Sequence, residues 1–248
     1  MTLYDRLLEV TLPLARGKVV KRLCIGLGYT AVEISGGQVG LAYTLFEPGC
    51  CELLPKELTF WEKPADLVLR GLLSSHSLET TIALATVNAL LNNRELSFLY
   101  GDILSVISPK SEDEVTMVGY FEPLARKLSG RVKALWIFEK GERHGPGLLS
   151  EAEMPEYLPR ASLVFITSVT FINRTLEDIL DQIKRAREVV LLGASTPLAP
   201  EVFRFTPVTL LSGVRVRQKE KERIFRLVAE AKGFPSLKEG LEKVNFRV

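Results

Sequence analysis

The sequence predicts an α/β chain in two parts: a doubly wound, mostly parallel sheet at the C-terminal side, preceded by a smaller α+β unit. From about residue 109 onward, short uninterrupted apolar runs alternate with helical segments, and such runs belong in parallel strands buried on both faces. Parallel strands joined through helices cross over with the right hand, which places helices on both sides of the sheet. Residues 1–108 differ: a helix, a glycine-joined pair of β-rich runs and further helices follow one another, the order of an α+β unit.

Each element has its own local cause. Leu3, Leu7, Leu8, Leu12 and Leu14 recur at helical spacing, and Gly17 ends the pattern. "VVKRLCIGLG" and "YTAVEIS" lead into Gly36-Gly37 and then "QVGLAYTLF". That is a hairpin, because its turn requires positive φ and glycine supplies it without a steric penalty. A turn-rich stretch from Pro48 to Pro55 follows, and Pro64 opens "PADLVLRGLL". "SLETTIALATVNALLNN" is apolar on most sides, which predicts a helix buried on most sides.

After "GDILSVISPKSEDE" the pattern changes. The predicted strands are "VTMVGY", "VKALWIF", "SLVFIT", "EVVLLG" and "PVTLLSG". The helices between or after them include "FEPLARKLSG", "TLEDILDQIKRAR" and "KEKERIFRLVAEAKG". This alternation is Rossmann-like, giving units of residues 1–108 and 109–248.

Composition narrows the function. A net charge of +2 is too small to indicate a nucleic-acid partner, and the basic stretch "RVRQKEKERIFR" mixes signs as a solvated helix face does, so no nucleic acid is expected. No apolar run approaches the roughly 18 residues that span a bilayer, so no membrane partner is expected. "MTLYDRLLEV" interleaves Asp5, Arg6 and Glu9 with apolar positions, the mark of an amphipathic helix and not of a signal peptide. Three cysteines, two of them adjacent, make no disulfide framework, and a cytoplasmic location is expected. Eight Asn and Gln stand against 32 Lys and Arg and 30 Asp and Glu, a thermophile-like bias.

Ligands of open α/β sheets bind at the carboxyl ends of the strands. Three exits qualify: "VGYFEP" at 118–123, "ITSVTFINRT" at 166–175 and "LGASTP" at 192–197. The second carries Thr170, Asn173 and Thr175. Thr175 with Asp178 forms a Thr-x-x-Asp capping pattern, and Asn173 is the competing cap. In the third, Gly193 eases the turn, Thr196 can cap, and Pro197 sets the exit direction. Hydroxyls and free N–H groups at such corners suit an oxyanion, while capping alone explains each residue singly. The first exit lacks Gly-x-Gly-x-x-Gly. The third lacks a P-loop lysine and the glycine of a nucleophile elbow, so Ser195 is not read as an acyl-transfer nucleophile. Glu139 follows Gly119 by 20 residues, where dinucleotide folds place a ribose-binding acid; a solvated loop acid is the competing reading.

The stretches "IGLGYTAVEISGGQVGLAYT", "TIALATVNALLN", "VTMVGYFEPL", "ITSVTFINRTLEDIL" and "VLLGASTPLAPEVF" resemble, in order, the family described as a "putative heavy-metal chelation" domain. The resemblance implies a Rossmann-like C-terminal domain and an N-terminal domain similar to that of enolase. It implies a ligand site between them, drawing here on Asn88, Gly119, Glu139, Thr170, Asn173, Thr175, Gly193, Ser195 and Thr196.

A metal or a metal complex is the ligand that this resemblance suggests, yet soft metals want thiolate or imidazole ligands. The chain has two histidines, His76 and His144, and three cysteines. Cys24 falls in a predicted strand and reads as core. Adjacent Cys50 and Cys51 cannot readily share one tetrahedral centre. His144 sits in a loop beyond Glu139. An oxygen-rich site, or a pocket for a metal that brings its own ligands, remains.

Asn88 and Asn92 share a helical face. Asn88 is read as a tether or a site residue, Asn92 as a helix end. Two classes of function stand: a small-molecule or metal-binding protein, or an enzyme holding a nucleotide-like or anionic metabolite on the Rossmann-like half. A homodimer is expected, since two-fold dimers are the commonest assemblies and the two apolar helices offer surface to cover.

Overall fold

The computed structural model describes residues 1–46, 54–94, 96–140 and 148–248. Helix α1 (Leu3–Ala15) starts at Thr2, whose hydroxyl accepts the Asp5 N–H while the Asp5 carboxylate accepts the Thr2 N–H. This reciprocal cap satisfies two donors that a helix start leaves open. Strands β1 (Val20–Ile25), β2 (Tyr29–Ile34) and β3 (Val39–Tyr43) form an antiparallel sheet in that order. The β2–β3 turn falls at Gly36-Gly37, with φ of 101° and 83°.

After α2 (Ala65–Leu69) comes α3 (Ser77–Leu91), in which every residue but Ser77 and Glu79 is buried. One side of α3 lies directly against β3. A Cβ on Gly40 would sit 2.1 Å from the Ala85 carbonyl oxygen and 2.2 Å from the Ala89 nitrogen. Only glycine allows that approach of two backbones. The chain covers α3 itself, so its apolar surface needs no second copy.

The remaining elements are β4 (Leu99–Tyr100), α4 (Ile103–Val106), β5 (Glu114–Val118), α5 (Glu122–Leu128), β6 (Ala134–Phe138), β7 (Leu148–Leu149) and α6 (Met154–Tyr157). Then follow β8 (Leu163–Thr167), α7 (Leu176–Gln182), β9 (Glu188–Leu192), α8 (Pro200–Phe203), β10 (Leu210–Val216), α9 (Lys221–Ala229), α10 (Phe234–Leu237) and β11 (Leu241–Arg247). Eight strands make one sheet in the order β4-β11-β10-β9-β8-β5-β6-β7. From β10 to β7 all pairs are parallel; β11 and β4 add antiparallel at the edge. After β4 at the edge, the parallel part starts at β5, moves outward through β6 and β7, and returns to β8 before running the other way. The order therefore reverses between β5 and β8, as in a doubly wound fold.

Both faces of the central strands are buried. Leu163 and Phe165 of β8 join one core with Leu124 and Leu128 of α5. Val164 and Ile166, on the opposite face, join the core that includes α1 and α3. A third core places Ala31, Val39 and Leu41 of the small sheet against Val214 and Val216 of β10 and Ile224, Phe225 and Val228 of α9. The small sheet is thus packed on α3 by one face and on the C-terminal elements by the other, and alternate residues of each strand serve the two sides.

Two features lay beyond the sequence reading. Residues 99–106, grouped there with the first unit, supply β4 and α4 to the larger sheet and its second core. The last strand, β11, was not anticipated: its Leu241, Val244 and Phe246 are interrupted by charges and hide the apolar face.

Candidate functional site

All the predicted site residues except Asn88, which lies on α3, follow the carboxyl edge of the larger sheet in strand order. Glu139, just past β6, accepts the Tyr120 N–H at 2.7 Å and so braces the loop after β5. Gly119, at φ 88°, faces Thr167 at the end of β8, whose side chain would lie 2.8 Å from any added Cβ. Gly193, at φ 131°, faces the Ser168 hydroxyl in the same way, with 2.7 Å to an added Cβ. The exits of β5, β8 and β9 therefore touch.

At the β8 exit, the Thr170 hydroxyl donates to the Thr167 carbonyl at 2.6 Å. The Asn173 side-chain oxygen accepts both the N–H and the hydroxyl of Thr175, at 3.3 and 2.8 Å. Asn173, and not Thr175, therefore supplies the side-chain acceptor at the start of α7. Arg174 between them holds φ 63° and sends its guanidinium to the carbonyls of Leu72 and Ser74. This strained corner fastens the β8 exit to the first unit.

The β9 exit is bound still more closely. The Ser195 hydroxyl accepts the Tyr43 N–H at 2.7 Å. The Asn88 amide donates to the carbonyls of Leu41 and Ala194, at 2.8 and 3.3 Å. Asn92 does most: its amide nitrogen donates to the Thr196 and Val214 carbonyls, each at 3.2 Å, and its oxygen accepts the Leu198 N–H at 3.0 Å. Asn92 ends α3 as expected, and its side chain also holds two backbone groups of the β9 exit and one of β10. Thr196 does not cap α8, which opens at Pro200 behind Ala199. Ser195 and Thr196 are 1% and 0% exposed, so the corner they form is a seam between the two parts. Three buried oxygens beside the seam, of Asn88, Ser168 and Thr196, have no protein partner among the described residues.

Next to this seam is a crevice of about 460 Å³. Gly193 and Ala194 past the end of β9 and Ser212 and Val214 in the middle of β10 line one side, and Tyr120, Phe121 and Leu124 of the β5–α5 corner another. Tyr29 comes from the small sheet; Asp102, Lys127, Lys243 and Phe234 complete the wall. Burial, reinforced by the neighbouring Tyr43, pushes the Tyr29 phenol up to about 12, so it is a neutral hydrogen-bond donor at physiological pH. Of the predicted residues Gly193 lines this space. Tyr120 and Phe121 belong to the strand exit at 118–123, whereas Tyr29, Lys127, Phe234 and Lys243 carried no sequence signal, because they stand in separate segments.

The donor set bears on metal binding. Among the described residues no three His, Cys, Asp or Glu side chains converge, so these residues by themselves do not fit a bare soft metal. Cys24 is half-buried in β1, where desolvation outweighs the nearby Arg22 and raises its thiol pKa. Cys50, Cys51 and His144 lie outside the described residues. No helix among the described residues is long and apolar enough to cross a membrane.

Comparison with known proteins matches both parts of the chain. The family DUF364, described as "putative heavy-metal chelation", matches residues 102–247, and DUF4213, with the same description, matches residues 8–91. An uncharacterized protein of Methanocaldococcus jannaschii is 24% identical over 208 residues, covering 79% of this chain and 78% of that one. A DUF364 protein of unknown function from Pyrococcus horikoshii has a similar crystal structure, with a TM-score of 0.85 over 100% of both chains; at 22% identity it shows the fold alone. Another, from Desulfitobacterium hafniense, gives a TM-score of 0.79 at 26% identity, over 98% of this chain and 99% of that one. With more than half of its length matched, the chain belongs to the DUF364 family.

Proposed function

We propose that this protein binds a small anionic molecule, or a metal already held by its own ligands, in the crevice between the small sheet, the end of β9 and the middle of β10. The observation that carries this reading is the crevice itself, about 460 Å³ with aromatic walls and a few polar groups. Its size and lining are those of small-ligand sites, in which apolar surface supplies affinity and sparse polar groups fix orientation. Several separate segments meet there, so a ligand would bridge both parts of the chain. The description of the family supports a metal in the ligand. The poor fit of the described side chains to a bare ion favours a metal that arrives complexed.

Binding chemistry follows from the residues present. The neutral Tyr29 phenol can donate to an oxygen of the ligand. Phe121 and Phe234 offer faces for a flat or apolar body. Native mass spectrometry with elemental analysis, on protein purified without tag or chelator, tests the reading. The expected result is a stoichiometric extra mass, with or without a metal, that is lost in Ser212→Trp. Ser212 lines the crevice, and an indole there would obstruct it. Wild-type protein with neither added mass nor metal, or a variant that keeps both while folding normally, overturns the proposal.

A further inference from the structure

Three charged side chains on separate elements converge at the wall of the crevice. Asp102 precedes α4, Lys127 lies in the last turn of α5, and Lys243 projects from β11. One carboxylate oxygen of Asp102 is 3.5 Å from each lysine nitrogen. The two ammonium groups are therefore no farther apart than twice that distance, and a single acid holds both. Glu122 also lines the crevice, but it pairs with Arg126 one turn along α5. The local excess is one positive charge. Lys243 also stands 6.0 Å over the Phe234 ring, which keeps its charge beside the aromatic wall.

An ion pair between exposed groups contributes little to stability, and these three side chains are each about half exposed. Yet they do not form an isolated surface pair. They meet where a ligand would sit, and two like charges share one counter-charge. The other Asp102 oxygen is engaged in the fold, accepting the Leu104 N–H at 3.2 Å. Burial raises the Asp102 pKa, but this hydrogen bond and the two lysines more than offset it, so the carboxylate is ionised at neutral pH.

We propose that Lys127 and Lys243 form a clamp for a ligand bearing two or more adjacent negative oxygens, and that Asp102 occupies this clamp as an internal counter-ion until the ligand displaces it. The proposal rests on the crevice reading and deepens it by naming the ligand class, a polycarboxylate or a phosphate-bearing molecule. Displacement has a specific consequence. Asp102 competes with the ligand, so removing its charge strengthens binding. Asp102→Asn is suited to the test, because its side-chain oxygen can still accept the Leu104 N–H and keep α4 capped.

The full chain is titrated with inorganic pyrophosphate at low ionic strength, by calorimetry and by amide NMR. In the wild type, shifts are expected at Phe121, Gly193 and Phe234. The double variant Lys127→Ala, Lys243→Ala weakens binding by roughly tenfold or more, the loss expected for charge-assisted hydrogen bonds. Asp102→Asn binds several-fold more tightly, and added salt weakens binding in every case. Shifts in the crevice with equal affinity in all three proteins overturn the clamp but leave the crevice reading standing. Absence of binding in both the wild type and Asp102→Asn, or shifts confined to another surface, also overturns the clamp. The crevice reading is then decided separately by the mass measurement on Ser212→Trp.

Discussion

The Ser195 hydroxyl accepts the backbone N–H of Tyr43 at 2.7 Å, joining the edge strand β3 of the small sheet to the loop that leaves β9. Ser195→Ala leaves that N–H without its partner and should cost about 1–2 kcal/mol. Asn92→Ala, which breaks three bonds across the same seam, should cost about 3 kcal/mol. Urea unfolding measures both. Equal, negligible losses would show that the two parts are held by apolar packing alone.

Gly40→Ala should destabilise far more than its size suggests. The added methyl would meet the α3 backbone at Ala85 and Ala89, and a backbone cannot swing aside as a side chain can. A loss of about 3 kcal/mol or more is expected, seen as a lowered denaturant midpoint or insoluble expression. A midpoint within experimental error of wild type would mean that β3 and α3 can move apart at little cost.

Alkaline pH should weaken the fold through two tyrosines. Burial pushes Tyr4 and Tyr29 from 10.0 up to about 12. Between those values the unfolded chain ionises while the folded one does not, so the unfolded state gains stability. Their contribution is complete below pH 10 and is lost as pH rises toward about 12. Tyr4→Phe and Tyr29→Phe should each flatten this limb, read by unfolding at stepped pH alongside phenolate absorbance. An unchanged slope in both would rule the tyrosines out as its source.

Acid pH should weaken the fold through Asp113. This side chain is 3% exposed at the opposite, amino-terminal edge of the sheet. Burial raises its pKa, but hydrogen bonds from Arg187, the Lys110 N–H and Ser162 outweigh it and hold the carboxyl below its ordinary range. A depressed folded pKa contributes stability above the unfolded value, and that stability is lost as pH falls through the folded one. Asp113→Asn should cost about 1–3 kcal/mol at neutral pH and remove part of the acid limb below about pH 4. Parallel acid limbs in wild type and variant would assign the effect to other carboxylates.

The residues that carry regular structure were legible because their causes are local. Gly36-Gly37 marked its hairpin through the φ that it alone adopts easily, and Val164 to Ile166 marked a strand buried on both sides by having no polar gap. The i, i+4 spacing of Asn88 and Asn92 was visible as well, but what they bind was not. Their partners, Leu41, Ala194, Thr196, Leu198 and Val214, come from β3, β10 and the β9 exit, and those meet only once the sheets are packed. Glu139 stood between a ribose-binding acid and a solvated loop acid; its bond to the Tyr120 amide was not visible, because that contact depends on how the β5 loop turns.

By itself, the sequence determined the two-part α/β architecture, the parallel course of the central strands and the burial of α3, because periodicity, glycine placement and apolar continuity act over a few neighbouring residues. The tertiary structure alone decided that Ser195 and Thr196 form a seam, that β4 and β11 extend the larger sheet, and that Tyr29, Asp102, Lys127, Phe234 and Lys243 surround one crevice. These residues stand far apart along the chain and share no pattern. Only the strand order, set by the packing of both faces of the sheet, brings them together.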